Sequence, residues 1–597
     1  MLDKSPPSWD PGMYLYQATI LSQRLMSDGL YEFVVSVFNI DKGRVPLLLI
    51  VVQPAFLLFG PSLDAAVMTL NLFWFVLLWA VSGVSRHFPG VESGEKAAFF
   101  AFSLFAFYPL TVLLAHNYLV ELMLVACVTA SIYSLLMLYE SGRLRWSISV
   151  GVWIGAGLLT KVTFPAFVFP AFLILVLLHA REASIRSAAR VFFPAVMLPL
   201  IIAGPYYIYN LKDILHLTTM LSSHGLSQMY GFKSAFDPVA IFEYLWVVFT
   251  NPVMLVAFLC IGLSWMYAFF NEKRVVGVVH ASKVRKGPWL VVLALWFFIP
   301  LVLATIGEIK EPRYVYPALI PIFVLAGVGA ARRQFGFFGA LLMLCFYVVA
   351  LPAYLRVNNF LGADKFDAFR VSSGLTTDSL IDERDWRIGP LVKEISENLP
   401  ATDRVNSVLF LGGNRYYHMR LFDYYGLMGG LSLRYFALPY YARPDMTVDE
   451  ALSFIDKEAP DGIISKSGQN WPEFSSRLDA SIIRALDENP RYRRINLSTT
   501  QPDGSVFSLF VRKPPEYRRV VSASELVGAW SVMGGVARIE IQTGDEILIT
   551  TEAGAKGVAS VRDGSIFVPA WNVSGRITSD FKSLHWDNGS KWERLVN

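Results

Sequence analysis

The stretch EIKEPRYVYPALIP, from Glu308 to Pro321, places four charged residues within six positions between two long apolar runs. The flanking runs, 288–306 and 313–331, are each long enough for a membrane helix, because about 20 apolar residues span a bilayer. Charged side chains at the mouth of such a helix can act as interfacial anchors, but by default they indicate a functional site. The stretch therefore predicts a membrane protein with a charged site at one membrane face.

The composition agrees with a membrane protein. Of 597 residues, 54% are hydrophobic and 17% are charged, whereas soluble domains contain about 25% charged residues. A net charge of only +4 argues against a nucleic-acid partner, because no face can carry a dense basic patch. All three cysteines lie in apolar runs, so disulfide bonds are not expected.

Apolar runs of spanning length predict ten membrane helices before about Tyr354. They lie at 64–85, 97–115, 117–139, 146–160, 162–180, 191–209, 250–270, 288–306, 313–331 and 336–355. The fourth and fifth runs are so close that they must form a tight hairpin around Thr160 and Lys161. The run 45–59 is shorter and contains two prolines, so we expect it to lie along the membrane interface.

Basic residues in alternate loops predict the orientation, because Lys and Arg accumulate on the cytoplasmic side. The predicted cytoplasmic loops contain Arg86, Lys96, Arg143, Arg145, Arg181, Arg186, Arg190, Lys273, Arg274, Lys283, Arg285, Lys286, Arg332 and Arg333. Residues 1–63 and everything after Leu355 then lie outside the plasma (inner) membrane. The opening MLDKSPPSWD has no apolar signal segment, so we expect a further helix upstream of Met1.

Two acids and three cations meet at the predicted outer face. They are Asp10, Glu121, Lys161, Lys310 and Arg313. Arg binds phosphate through two parallel hydrogen bonds and Lys supplies a point charge, while a carboxylate can take the proton of an attacking hydroxyl. The set predicts sugar transfer from a lipid-linked phosphate, although Asp10 followed by Pro11 also fits a helix N-cap.

Five motifs in order resemble the GT-C glycosyltransferases, in particular the bacterial protein O-mannosyltransferases and lipid A aminoarabinose transferases. They are RVPLLLIVVQPAFLLFG (44–60), LLTKVTFPAFVFP (158–170), GPYYIYN (204–210), RYVYPALIP (313–321) and PDGSVFSLFVRK (502–513). The resemblance covers about residues 9–515. It implies a polytopic helical bundle that carries an outer soluble domain.

The resemblance also implies roles for the acids. Asp10 matches the family's catalytic base, although the family's frequent Asp-Glu pair is Asp-Pro here. Glu121, with His116 nearby, matches an acidic position implied in binding the acceptor or a divalent metal ion (Mg or Mn). Asp10 and Glu121 would hold that ion together.

For the donor, the resemblance implies a polyprenyl-phosphate sugar. Lys161 and Arg313 match positions implied in binding its phosphate, and we expect Lys310 to assist them. Tyr14 and Tyr314 are expected to support the site. The acceptor is a hydroxyl of a protein, a lipid or a glycan, and neither its class nor the donor sugar can be inferred from the residues.

After Leu355 the sequence predicts soluble domains. Helical stretches such as GPLVKEISENL alternate with apolar runs such as RVNSVLFL and PDGIISK, which is typical of a small α/β domain. A linker then leads to alternating strands, which predict an antiparallel β module with core tryptophans rather than a sugar-stacking platform. The predicted domains are 1–63 (outer loop), 64–355 (membrane), 356–515 (outer α/β) and 516–597 (linker and β module).

Two other functions fit the composition. A transporter or flippase of lipid-linked saccharides could use the same cations, but transporters place polar groups near the bilayer midplane and often contain inverted repeats. A membrane anchor without catalytic activity would not need ten helices. Transfer from a lipid-linked sugar in detergent distinguishes the enzyme from both.

The predicted orientation is testable with a reporter that is active only outside the cytoplasm. Because the basic loops are predicted to be cytoplasmic, a fusion after Leu355 should be active and a fusion within the loop 181–190 should be inactive. The opposite pattern of reporter activity would overturn the predicted orientation.

Overall fold

The computed structural model describes residues 6–89, 91, 93–221, 236–250, 252–270, 286–307, 310–331, 384–400, 404–413, 417–439, 446–467, 475–513, 523–532, 535–543, 546–562, 565–578 and 582–595. The chain forms two compact units. The first comprises Met1–Ile482 and Asn496–Leu509, and the second Ile483–Ile495 and Phe510–Asn597.

Helices dominate the described part of the chain up to Ala331. They are α1 (Trp9–Ser27), α2 (Gly29–Asn39), α3 (Leu47–Val51), α4 (Gln53–Phe59), α5 (Leu63–Asn71), α6 (Phe73–His87), α7 (Gly94–Ala106), α8 (Pro109–Ala115), α9 (Glu121–Ser141), α10 (Leu144–Leu158), α11 (Phe164–Glu182), α12 (Ile185–Ile202), α13 (Gly204–Leu221), α14 (Pro238–Phe249), α15 (Pro252–Phe270), α16 (Lys286–Ile306) and α17 (Ile320–Ala330). Two 3₁₀ turns, Pro312–Tyr314 and Tyr316–Leu319, precede α17.

Within the described residues, five helices are long and apolar enough to cross a membrane. They are Leu63–His87, Glu121–Ser141, Phe164–Glu182, Ile185–Ile202 and Gly287–Ile306. Pro238–Phe249 and Val253–Ser264 together make a broken span, and Leu47–Phe59 and Tyr316–Ala330 are shorter apolar helices. The apolar helical fold is therefore confirmed, with one broken span among the described residues.

Some predicted spans differ from the observed helices for identifiable reasons. The predicted helix 97–115 is two helices, α7 and α8, because Pro109 starts a new helix at its N-terminal end. The predicted helix 191–209 divides between α12 and α13, with Gly204 as the first residue of the second. The predicted helix 336–355 lies outside the described residues.

The first unit is packed around α9, which is the most buried of the five spans. Close approach of helices depends on glycine at Gly327, where α17 crosses α7. A Cβ there would lie 2.5 Å from the Ala97 carbonyl oxygen and 2.7 Å from the Ala101 amide nitrogen. This contact fixes α17, and with it the 3₁₀ turns that precede it.

A five-stranded sheet with helices forms the α/β fold predicted after residue 356. Its strands are β1 (Asn406–Leu411), β2 (Leu433–Ala437), β3 (Gly462–Lys466), β4 (Tyr492–Asn496) and β5 (Phe507–Arg512), in the order β2-β1-β3-β5-β4. The accompanying helices are α18 (Ile388–Asn398), α19 (Met419–Met428), α20 (Val448–Glu458) and α21 (Ser475–Glu488). β1 pairs in parallel with both β2 and β3.

The second unit ends in a closed antiparallel barrel. Its strands are β6 (Gly528–Val532), β7 (Gly535–Thr543), β8 (Glu546–Thr550), β9 (Lys556–Arg562), β10 (Ser565–Val568), β11 (Val573–Ile577), β12 (Ser583–Trp586) and β13 (Lys591–Arg594), with 3₁₀ turns at Ala523–Leu526 and Pro569–Trp571. Trp530, Trp586 and Trp592 are buried in its core and Trp571 packs against that core. The β module and its tryptophan core are confirmed.

Substitution of Gly327 by Ala should destabilise the membrane helices. The added methyl group would meet backbone atoms of α7, and overpacking of this kind typically costs about 1–3 kcal/mol. Thermal unfolding in detergent would measure the loss. Gly262→Ala is the matched control, because a Cβ at Gly262 in α15 meets nothing within 4 Å. Equal melting temperatures for the two variants would contradict the packing described here.

Candidate functional site

Asp10 lies in the first turn of α1. The helix begins at Trp9 and Ser8 is its N-cap residue, so the prediction that Asp10 caps this helix is wrong. A carboxylate in the first turn still interacts favourably with the helix dipole. The Asp10 side chain is 35% exposed, so a ligand can reach it. Tyr14 follows one turn later on the same helix face, and burial raises its pKa, which keeps the phenol neutral.

Arg313 connects Asp10 to two other carboxylates. Its Nη2 donates a hydrogen bond to Asp10 Oδ2 at 3.0 Å. Its Nε lies 2.7 Å from Glu311 Oε2 and 3.8 Å from Glu121 Oε1. Burial lowers the pKa of Arg313, but the carboxylates of Glu121, Glu311 and Asp10 outweigh burial and hold that pKa well above its ordinary value. The guanidinium is therefore a permanent cation at the centre of the site.

Glu121 is the most buried acid of the site, with a side chain that is 1% exposed. Lys161 donates a hydrogen bond to Glu121 Oε1 at 2.9 Å. The Lys161 ammonium also lies 4.5 Å from the ring centroid of Tyr314, close enough for a cation–π contact. The structure thus brings together the predicted residues Asp10, Glu121, Lys161 and Arg313, with Tyr314 against both cations.

Two buried polar atoms of this cluster have no hydrogen-bond partner among the described residues: Glu121 Oε2 and Arg313 Nε. Glu311 lies near that Nε without the alignment of a hydrogen bond. A buried polar atom without a partner costs about 1–3 kcal/mol. One is an acceptor and the other a donor, so a ligand hydroxyl or a water molecule could satisfy both.

Hydrogen bonds and ring packing hold the two turns that carry the cations. The amide of Leu47 donates to the carbonyl of Leu159 at 2.9 Å, which joins α3 to the hairpin that carries Lys161. Tyr316, three residues after Arg313, donates from its hydroxyl to Thr111 Oγ1 at 2.7 Å. The Tyr316 ring also stacks on Phe105. Each cation therefore sits on a turn that is anchored by a neighbouring residue.

Two predicted site residues make different contacts. Lys310 donates to the carbonyl oxygens of Thr305 and Gly307, each at 2.7 Å, and so binds the C-terminal end of α16. His116 is exposed, and its Nδ1 lies 2.8 Å from the Val112 carbonyl oxygen one turn earlier. Lys310 therefore caps the C-terminal end of α16. His116 bonds the backbone of the last turn of α8.

Cations of the chain itself pair with the two carboxylates that were predicted to hold a metal ion. The Arg313 guanidinium bonds the Asp10 carboxylate and faces that of Glu121, where a divalent ion would have to bind. In the part of the chain that the structure describes, no group of three His, Cys, Asp or Glu side chains could hold a metal ion.

Sequence reasoning missed two charged residues beside the site. Glu311 is two positions before Arg313 and its charge was visible in the sequence, but nothing indicated that it pairs with that arginine. Arg44 forms an ion pair with Asp41 at 3.3 Å. Burial lowers the pKa of Arg44, but nearby Tyr14, Asp41 and Asp10 outweigh burial. The pKa of Arg44 is therefore raised overall, and the side chain remains a cation. Its position in the quoted motif RVPLLLIVVQPAFLLFG was the available signal.

Comparisons with known proteins agree with the predicted resemblance. Residues 90–209, which include Glu121 and Lys161, match the family model of dolichyl-phosphate-mannose-protein mannosyltransferase. The fold is similar to that of ArnT from Cupriavidus metallidurans bound to undecaprenyl phosphate, at 16% identity, over 85% of this chain and 95% of that chain, with a TM-score of 0.53. The apo form of that ArnT gives 15% identity, 85% and 94% coverage and a TM-score of 0.51.

A more distant similarity is to the Archaeoglobus fulgidus oligosaccharyltransferase tethered with an acceptor peptide, at 10% identity, 86% and 71% coverage and a TM-score of 0.46. No curated protein matches the chain significantly. The family-model match over residues 90–209 and the fold similarity to ArnT agree with the resemblance to the GT-C glycosyltransferases.

Removing the buried carboxylate should destabilise the first unit. Glu121→Gln leaves the Lys161 ammonium without its carboxylate, and breaking a buried ion pair costs about 3–5 kcal/mol. The loss would be measured by thermal or denaturant unfolding in detergent. Adding Lys161→Met to Glu121→Gln should recover part of the loss, because no unpaired charge then remains at that position. Strictly additive destabilisation by the two substitutions would contradict the pairing.

Proposed function

We propose that this protein is an integral-membrane glycosyltransferase that transfers a sugar from a polyprenyl-phosphate donor to an acceptor hydroxyl at the outer face of the membrane. The observation that carries the proposal is the ion pair between Asp10 and Arg313, 3.0 Å apart in a cluster with Glu121 and Lys161. This arrangement supports Asp10 as a reachable base and Arg313 as the cation that would bind phosphate. The ArnT of similar fold was crystallised with undecaprenyl phosphate, which supports a lipid-phosphate donor.

Arg313 and Lys161 would bind the donor phosphate. Arg supplies parallel N–H donors and Lys a point charge. The described cluster already contains three carboxylates and two cations, so an added phosphate would be repelled by the carboxylates and would favour the departure of one of them from Arg313. Glu311 is the best candidate to leave, because its side chain is 37% exposed and its contact with Nε is poorly aligned.

Asp10 would act as the general base. Its carboxylate takes the proton of the acceptor hydroxyl while that oxygen forms a bond to the anomeric carbon. The bond from that carbon to the phosphate oxygen breaks, and the phosphate leaves with the electron pair, stabilised by Arg313 and Lys161. A single displacement without a covalent intermediate inverts the anomeric configuration.

Glu121 would orient a hydroxyl group of the acceptor or of the sugar. Its unpartnered Oε2 can accept a hydrogen bond from that hydroxyl, whose oxygen can accept one from Arg313 Nε. Tyr14 and Tyr314 would line the site. No step of this reaction passes through a metal ion, because the described carboxylates are bound to cations of the chain itself.

We further propose that the protein lies in the plasma (inner) membrane, with the α/β domain and the β module outside. The proposed domains keep the predicted limits: 1–63, 64–355, 356–515 and 516–597.

Asp10→Asn separates a glycosyltransferase from a transporter. Because Asn keeps the size of Asp but not its basicity, sugar transfer should fall about 10²–10⁴-fold while donor binding stays nearly unchanged. Purified parent and variant would be compared for transfer from a polyprenyl-phosphate sugar, for binding of that donor and for product stereochemistry, which should be inverted.

Arg313→Lys is the matched comparison in the same assays. It keeps the charge but loses the guanidinium geometry, so donor binding should weaken by about 1.5–3 kcal/mol. Transfer by Asp10→Asn at the parental rate, or retention of configuration, would refute Asp10 as the base. A parent that moves lipid-linked saccharide between leaflets without transferring sugar would support the transporter.

A further inference from the structure

The α/β domain touches the Asp10 turn directly. His418, the residue before α19, is buried with 3% exposure. Its Nε2 lies 3.2 Å from the Pro7 carbonyl oxygen, and since a carbonyl only accepts, the ring nitrogen is the donor. The imidazole also packs against the indole of Trp9, with ring centroids 5.1 Å apart. Pro7 and Trp9 flank the N-cap of α1, so His418 contacts the chain immediately before Asp10.

Two glycines let these segments approach. A Cβ at Gly12 would lie 2.6 Å from His418 Cε1, so only glycine fits the present contact. A Cβ at Gly413, after β1, would lie 3.3 Å from Trp9 Cη2. The carboxyl end of β1 and the start of α19 therefore form one surface against the first turn of α1.

Further contacts extend this surface. Arg420 forms an ion pair with Asp423 at 3.0 Å, and its guanidinium carbon lies 5.9 Å from the ring centroid of Tyr16 in α1. The Tyr424 hydroxyl donates to the Pro61 carbonyl at 3.3 Å. The α/β domain thus holds both ends of the segment that was predicted to be the first outer loop.

From these contacts we infer that His418 is a positioning residue for Asp10: by fixing the Pro7–Gly12 turn from the α/β domain, it sets where the carboxylate meets the acceptor hydroxyl. The inference rests on the proposed function. Arg313 bonds the Asp10 carboxylate, and His418 bonds the backbone carbonyl of Pro7 three residues earlier. A base displaced by about 1 Å can lose about 10²-fold in rate. The contacts of His418 would therefore affect the rate of the proposed reaction.

The contact between His418 and the Pro7 carbonyl should also depend on pH. Burial lowers the pKa of His418 from 6.5 to about 4; the Pro7 carbonyl and Asp10 act against that shift, and Arg420 adds to it. A histidine whose folded pKa is depressed contributes stability above its unfolded pKa, and that contribution is lost as pH falls from about 6.5 towards 4. Acid should therefore loosen the Asp10 turn of the parent.

The test combines hydrogen exchange of the segment 8–16 with sugar-transfer kinetics on the same detergent preparations. His418→Leu removes the donor and should accelerate exchange and lower kcat about tenfold to hundredfold, with little change in the KM for the donor. His418→Gln retains an N–H donor and should restore both, without the parent's loss of protection, relative to the intrinsic exchange rate, between pH 6.5 and 4. His585→Leu, in the barrel, is the matched control and should resemble the parent.

Gly12→Ala gives a result of opposite sign for the two interpretations. Without the His418 contact, Ala would strengthen the helix and slow exchange; with it, the methyl group displaces the imidazole and accelerates exchange. Slower exchange in Gly12→Ala, or unchanged exchange in His418→Leu, would show that His418 does not hold the turn. Accelerated exchange in His418→Leu with the parental kcat would show that His418 holds the turn but does not position Asp10 for the reaction. A parent that transfers no sugar refutes the proposed function, and the exchange data still decide whether His418 holds the turn.

Discussion

The buried carboxylate of Glu121 sets the condition that the rest of the first unit meets. It stands at the start of the apolar helix α9 with 1% exposure, where an unpaired charge would be prohibitively costly. Lys161 reaches it from the α10–α11 hairpin, and Arg313 from the 3₁₀ turn before α17. Because Arg313 also bonds Asp10, one buried charge brings three distant segments of the chain together.

The same pairing explains why the site is built from turns rather than from helix interiors. A cation inside an apolar helix would lack access to water and to a ligand, whereas a turn at the helix end provides both. The turns must then be rigid, and the Leu47–Leu159 and Tyr316–Thr111 hydrogen bonds make them so. Rigidity is useful for catalysis because the charges do not have to reorganise around the substrate.

Sequence reasoning predicted elements whose signal is local. The strands of the barrel alternate in polarity, and the Thr160-Lys161 hairpin lies between two adjacent apolar runs, so both were predictable. The Asp10–Arg313 bond joins residues 303 positions apart, and the sequence placed both only at the same predicted membrane face, without indicating that they pair. The N-cap prediction for Asp10 was wrong because Ser8, two positions earlier, already occupies that position. Lys310 has the same charge as Arg313, and only the fold reveals that it binds the end of α16.

The hydrogen bond between His418 and Pro7 has no local signal in the sequence, because the two residues are 411 positions apart and neither belongs to a recognisable pattern. In the sequence, all of the predicted membrane helices lie between residues 1–63 and the α/β domain. The contacts of His418 and Tyr424 nevertheless pack these two segments together. Asp10, in the first turn of α1, bonds Arg313 through its side chain, whereas the backbone just before it at Pro7 bonds His418 of the α/β domain. The α/β domain therefore helps to hold the first turn of α1, which makes it part of the framework of the candidate site.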